Sequence, residues 1–152
     1  MNPLKIPTKT LYDTDFNFWV EETVNNLKSK NYEQIDWENL IDEVEGLAKR
    51  DKRELESRLT TLYEHALKRC FVPLPDCYRG WEGTLSRTQQ QLTRILRDSP
   101  SLKAYLLAII DECYHNALKN LCREYDTSFP DICPFPTDLE SLLCEEFWQL
   151  KN

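Results

Sequence analysis

The sequence predicts an all-α fold, a compact helical bundle of about five main helices plus a short C-terminal helix. Three observations point there. Apolar residues recur at three- and four-residue spacings along most of the 152-residue chain, which puts them on one face of a helix. Only 3 glycines are present, too few for a fold built on many tight hairpins. The prolines cluster at 73–75 and 130–136, where they mark loops, and no stretch alternates as a strand does.

The elements follow in order. Phe16, Trp19, Val20, Val24 and Leu27, with Thr23, predict a first helix over Asp15–Ser29, capped by Asp13, Thr14 or Asp15. After a connector at 30–35, Asp36 fits the N-cap of a second helix with Trp37, Leu40, Ile41, Val44, Leu47 and Ala48 on one face. The stripe resumes, nearly in phase, at Leu55, Leu59, Leu62, Ala66 and Cys70. Residues 36–72 are therefore one long helix or two broken near Gly46–Asp51, where glycine is unfavourable by about 1 kcal/mol. Pro73 and Pro75 end that run.

A further helix is expected over Trp81–Asp98, with Trp81, Leu85, Leu92, Ile95 and Leu96 inward. Ser99 suits the N-cap and Pro100 the first position of the next helix. That helix, to about Tyr125, carries Leu102, Leu106, Ile109, Ile110, Cys113, Ala117 and Leu121 and is expected to be central. Thr137 and Glu140 form a capping box for the last helix, and Phe147 and Trp148 are expected to dock back onto the bundle. The length suits a single helical domain over 1–152.

Composition narrows the function. With 41% hydrophobic and 30% charged residues, the chain is globular, not disordered. A formal net charge of -7 disfavours broad nucleic-acid or anionic-membrane binding, because phosphate contacts need a concentrated positive surface. No apolar run reaches membrane-spanning length. None of the 6 cysteines pair as C-x-x-C, so zinc and redox spacings are missing. Cys70, Cys113 and Cys122 fall near apolar faces, as small buried hydrophobes do. A start without an apolar signal core completes the expectation of a cytoplasmic protein with reduced thiols.

Several segments together carry a resemblance. They are YDTDFNFW (12–19), IDWENLIDEVE (35–45), ELESRL (54–59) and HALK (65–68). A proline at 73, Trp81 with Thr84, SPSL (99–102), and a Cys-Pro and Phe-Trp ending follow. In this order and at these gaps they resemble a bacterial family catalogued as domain of unknown function 29. The likeness covers about residues 11–150. It implies an all-helical bundle and no assigned activity. Asp13, Asp15 and Trp19 match the family's opening pattern, and Asp36, Trp37, Leu40, Glu43 and Glu45 its acidic helix. Arg58, His65, Lys68 and Pro73 match its middle helix, with Trp81 and Thr84 opening the next. The chain departs from the pattern at Gln89, where the family tends to have arginine, and at Arg69, where it tends to have an aromatic.

One polar constellation stands out. Glu54, Arg58, Thr61, His65 and Lys68 share one helix edge beside the apolar stripe. If the chain turns back near 46–51, Glu43 or Glu45 faces Arg58, giving an inter-helix ion pair with His65 nearby; this structural role is the favoured one. The functional reading makes a pocket of Glu43, Glu45, Arg58, His65, Lys68 and Trp81. His65 would be the acid, base or ligand, Lys68 would hold an anion and Trp81 would wall the site. No nucleophile motif or phosphate loop accompanies it, and no catalytic residue is assigned.

Metal sites fare worse. A bundle di-iron site needs two E-x-x-H motifs, and the chain has one, Glu112 to His115. No metal or cofactor is expected. The run 49-KRDKRELESR-58 fits a solvated face with i, i+4 pairs Glu45–Lys49, Arg50–Glu54 and Glu54–Arg58. Trp19, Trp37, Trp81, Tyr105, Tyr114 and Trp148 fit the core. The leading expectation is a non-enzymatic module that works through a protein partner or as a homodimer. The alternative is an enzyme or small-ligand binder using a His65, Glu43, Arg58 and Lys68 pocket.

Overall fold

The computed structural model describes residues 10–149. Among these residues, seven α-helices and one 3-10 turn make up the regular structure, and there is no strand. The helices are α1 (Leu11–Thr14), α2 (Phe16–Lys28), α3 (Trp37–Phe71), α4 (Pro75–Asp98), α5 (Leu102–Ala108), α6 (Ile110–Glu124) and α7 (Leu139–Cys144). The all-helical bundle class and a short last helix are as expected. The chain forms two compact units, Met1–Ala48 and Lys49–Asn152.

In the first unit, Asp15 caps α2 by accepting from the Phe18 amide at 3.0 Å, the role its position suggested. The helix ends at Lys28, and Lys30, just past the cap residue Ser29, has a φ of 61°. The Asn31 amide reaches back to the Asn26 carbonyl at 2.8 Å and the Lys30 amide to that of Leu27 at 3.2 Å. This is a left-handed C-terminal cap, with lysine where glycine is usual. Tyr12, Phe16 and Trp19 form an aromatic cluster, with Tyr12 and Trp19 centroids 4.8 Å apart. Asp36 caps α3, accepting from the Asn39 amide at 3.3 Å.

The predicted stripes of this unit are only partly buried. On α2, Trp19 and Thr23 are buried, while Phe16, Val24 and Leu27 are exposed. On α3, Trp37, Ile41, Val44 and Leu47 are exposed. Trp37 is thus not a core residue; its indole instead donates to the Tyr32 carbonyl at 3.1 Å.

The second unit holds a dense core. Leu55, Leu59, Leu62, Ala66 and Leu67 of α3 are fully buried, as are Leu85 and Leu92 of α4, Leu106 of α5, Ala117 of α6 and Leu142 of α7. Tyr63 joins them, in edge contact with Tyr114 and stacked on Phe135. Burial raises the pKa of both tyrosine hydroxyls. Trp148 is buried and Phe147 packs against the core, so the ending docks as expected.

Helix α3 runs unbroken through Gly46, the one-helix alternative of the two the sequence left open. Four boundaries differ from the sequence reading. Helix α4 starts at Pro75, not Trp81, because proline has no amide to lose at the first position. Residues 99–101 form a turn, and α5 begins at Leu102 behind Ser101, which makes no side-chain cap. Helix α5 stops at Ala108, and Ile109 (φ -99°, ψ 4°) separates it from α6. The last helix is capped by Asp138, which accepts from the Ser141 amide at 2.9 Å, not by Thr137. The Ser141 amide bond is the first cause that holds the Asp138 carboxyl below the usual carboxylate range.

The Cys70 thiol donates to the Trp148 carbonyl at 2.9 Å. Cys113 is buried and Cys122 is exposed, so only the first of these two is a core thiol. No helix among the described residues is long and apolar enough to cross a membrane.

Candidate functional site

The six candidate residues divide between the two units. Glu43 and Glu45 lie in the first unit; Arg58, His65, Lys68 and Trp81 lie in the second. The turn at 46–51 that would bring Glu43 opposite Arg58 does not form, because α3 continues through it.

Glu43 instead accepts a hydrogen bond from the Tyr12 hydroxyl at 3.0 Å. That bond, first among its causes, raises the tyrosine's pKa. Glu45 is exposed. Arg58 pairs along its own helix with Glu54 at 2.8 Å and donates to the Gln91 side chain on α4. The second of these bonds bridges α3 and α4 at the core boundary. A recess of about 270 Å³ opens there, with Asp51, Glu54, Arg58, Gln91, Arg94 and Asp98 in its wall.

His65 is half-buried, and its Nδ1 lies 3.0 Å from the Thr61 carbonyl. A carbonyl only accepts, so Nδ1 carries the hydrogen and Nε2 is left as the basic nitrogen. Burial is the chief cause of its lowered pKa, and Lys68 lowers it further. The Thr61 bond, Glu64 and Glu124 push the other way. The ring is therefore neutral at physiological pH. It has the form of a base or acceptor, not of a fixed positive charge.

Lys68 sits over Trp81, its Nζ 5.4 Å from the ring centroid. One residue on, Arg69 stacks on Tyr78 at 4.1 Å and forms an ion pair with Glu82 at 2.6 Å. Two cations from α3 thus lie against two aromatics from α4. Arg69 and Gln89, the two departures from the family pattern, both hold structural contacts in this unit. The Gln89 side chain is buried and donates to the Leu142 carbonyl and the Glu145 carbonyl. Residue type alone could not find these partners, which lie 53 and 56 positions away.

A second concavity in this unit is a polar groove of about 800 Å³ between α3 and α6. Glu56, Thr60 and Glu64 face Glu112, Asn116 and Asn120 across it, and Asn120 donates to Glu64 at 2.8 Å. Cys113 lies at its floor, with burial raising the thiol pKa. His115 is exposed, its Nδ1 2.7 Å from the Asp111 carbonyl one turn back.

The feature that sequence reasoning misread is the surface of the first unit. Trp37, Ile41, Val44 and Leu47 are 47%, 52%, 58% and 54% exposed. Their spacing puts them along one side of α3. Glu38, Asp42 and Glu45 follow three of them directly in sequence and are also exposed. An apolar row with an acidic edge results.

A family model described as domain of unknown function DUF29 matches residues 11–148. No curated protein and no solved structure gives a match.

Proposed function

The chain belongs to the DUF29 family, and on that premise we propose that it is a non-enzymatic helical module that acts by binding another protein chain. The observation that carries this is the row Trp37, Ile41, Val44 and Leu47, each about half exposed. Single exposed apolar side chains are ordinary, but a helix-periodic row is the usual mark of an interaction surface. In the second unit the same periodicity is fully buried at Leu55, Leu59 and Leu62.

The state of the polar residues supports the same reading. Glu43, Arg58 and Lys68 are engaged with Tyr12, with Glu54 and Gln91, and with Trp81. Each has a contact that accounts for its position. The cysteine usage favours a reducing compartment, so the partner is to be sought in the bacterial cytoplasm.

The test is photo-crosslinking in the producing cell. Benzoylphenylalanine replaces Val44 in one variant and His115, exposed on α6, in another. A discrete protein adduct at 44 and none at 115 is the expected result. No adduct at 44, or the same adducts at both, refutes the proposal.

A further inference from the structure

We infer that the exposed row on the first part of α3 is a seat for a basic amphipathic helix, presented by a protein partner and not by a second copy of this chain. The inference rests on the interaction reading above and names the chemistry of the occupant.

Shape and charge both argue for it. The row Trp37, Ile41, Val44 and Leu47 spans about three helical turns, roughly 15 Å at about 1.5 Å per residue. A helix with apolar residues at the same spacings matches it by knobs into holes. Beside the row, Glu38, Asp42 and Glu45 are all exposed. No lysine, arginine or histidine lies between residues 31 and 48. Between residues 10 and 48 the chain carries ten acids and two lysines. The charge that complements this surface is positive.

The same arithmetic speaks against the other occupants. A second copy of this segment sets acid against acid whichever way the helices run, and like charges in contact are unfavourable. Nucleic acid and anionic lipid are repelled for the same reason. A partner helix with leucine-like residues at i, i+4 and i+7 and lysine or arginine beside them meets both requirements. Apolar burial then supplies affinity, and the acidic edge sets direction and speeds encounter.

The test uses the full chain and a synthetic peptide of about 18 residues. Its leucines stand at helical spacing and its remaining positions are lysines. Saturable one-to-one binding by calorimetry is expected. Three further results are expected. A peptide of the same composition in scrambled order binds about tenfold more weakly or worse. The Ile41→Ser, Val44→Ser double variant loses a similar factor. The Glu38→Lys, Asp42→Lys, Glu45→Lys triple variant loses the lysine peptide and gains the corresponding leucine–glutamate peptide.

Equal binding of ordered and scrambled peptides, or no binding, overturns the inference, and neither result needs a variant to fold. A homodimer by light scattering that Ile41→Ser, Val44→Ser returns to monomer also overturns it, while leaving the interaction reading intact. A monomer that binds no peptide, with Trp37, Ile41 and Leu47 protected from hydroxyl-radical footprinting, removes both, because the row is then covered within the chain itself.

Discussion

The side-chain amide of Gln89 donates to the Leu142 carbonyl at 2.9 Å, fastening the end of α7 to the middle of α4. The same nitrogen donates to the Glu145 carbonyl, also at 2.9 Å, so one buried group satisfies two carbonyls that the helix itself leaves open. Replacing it with methionine keeps the shape and removes both bonds. Gln89→Met is expected to destabilise the protein by about 2 kcal/mol, the penalty for stranded buried acceptors. Urea unfolding followed by circular dichroism reads this directly. An unchanged midpoint would show that the amide carries no weight.

The Arg69–Glu82 pair calls for a double-mutant cycle. Their side chains are 25% and 35% exposed, so solvent screens the pair only in part. Arg69 also stacks on Tyr78. Arg69→Met should therefore be more damaging than Glu82→Gln, because it removes a cation–π contact as well. The coupling energy between the two positions is expected near 1 kcal/mol and should shrink in high salt. A zero coupling energy would reduce the pair to a surface contact.

His65 makes stability depend on pH in a definite direction. Burial lowers its folded pKa from the ordinary 6.5. Below that value the unfolded chain takes up a proton that the folded chain refuses. Stability is therefore full at neutral pH. Through this residue it falls as pH drops from about 6.5 to the folded pKa, then levels off. His65→Gln should flatten that part of the profile, and proton NMR of the His65 ring should titrate below 6.5. A ring titrating above 6.5 would reverse the sign and refute the account.

Lys30 offers the opposite kind of test, a gain. At φ 61° a side chain crowds the following carbonyl, at about 1–2 kcal/mol. Glycine has no such conflict, though it frees the unfolded chain. Lys30→Gly is expected to stabilise the first unit by roughly 0.5–1 kcal/mol, visible as stronger hydrogen-exchange protection of the last turn of α2. Faster exchange there would contradict the cap geometry.

The sequence showed most helices because helices write themselves in local spacing. It hid the break at Ile109, because Leu106, Ile109, Ile110 and Cys113 keep helical period straight through it. It gave the row Trp37–Leu47 a face but not its surroundings, since period says which residues point together and never what they meet. The Glu43–Tyr12 bond spans 31 positions, and no local pattern signals such a partner. The turn expected as one alternative near Gly46 is missing for one physical reason: a single glycine did not break a long helix that propagates well on either side.

The core of the second unit draws on residues far apart in the chain. Leu55 to Leu67 meet Phe129, Phe135, Leu142, Leu143 and Trp148 in one cluster. Synthesis proceeds from the N-terminus, so the middle of α3 leaves the ribosome long before the groups that cover it. Until Trp148 has emerged the cluster lacks the groups that complete it, so a prematurely ended chain is expected to leave part of this leucine row in contact with water.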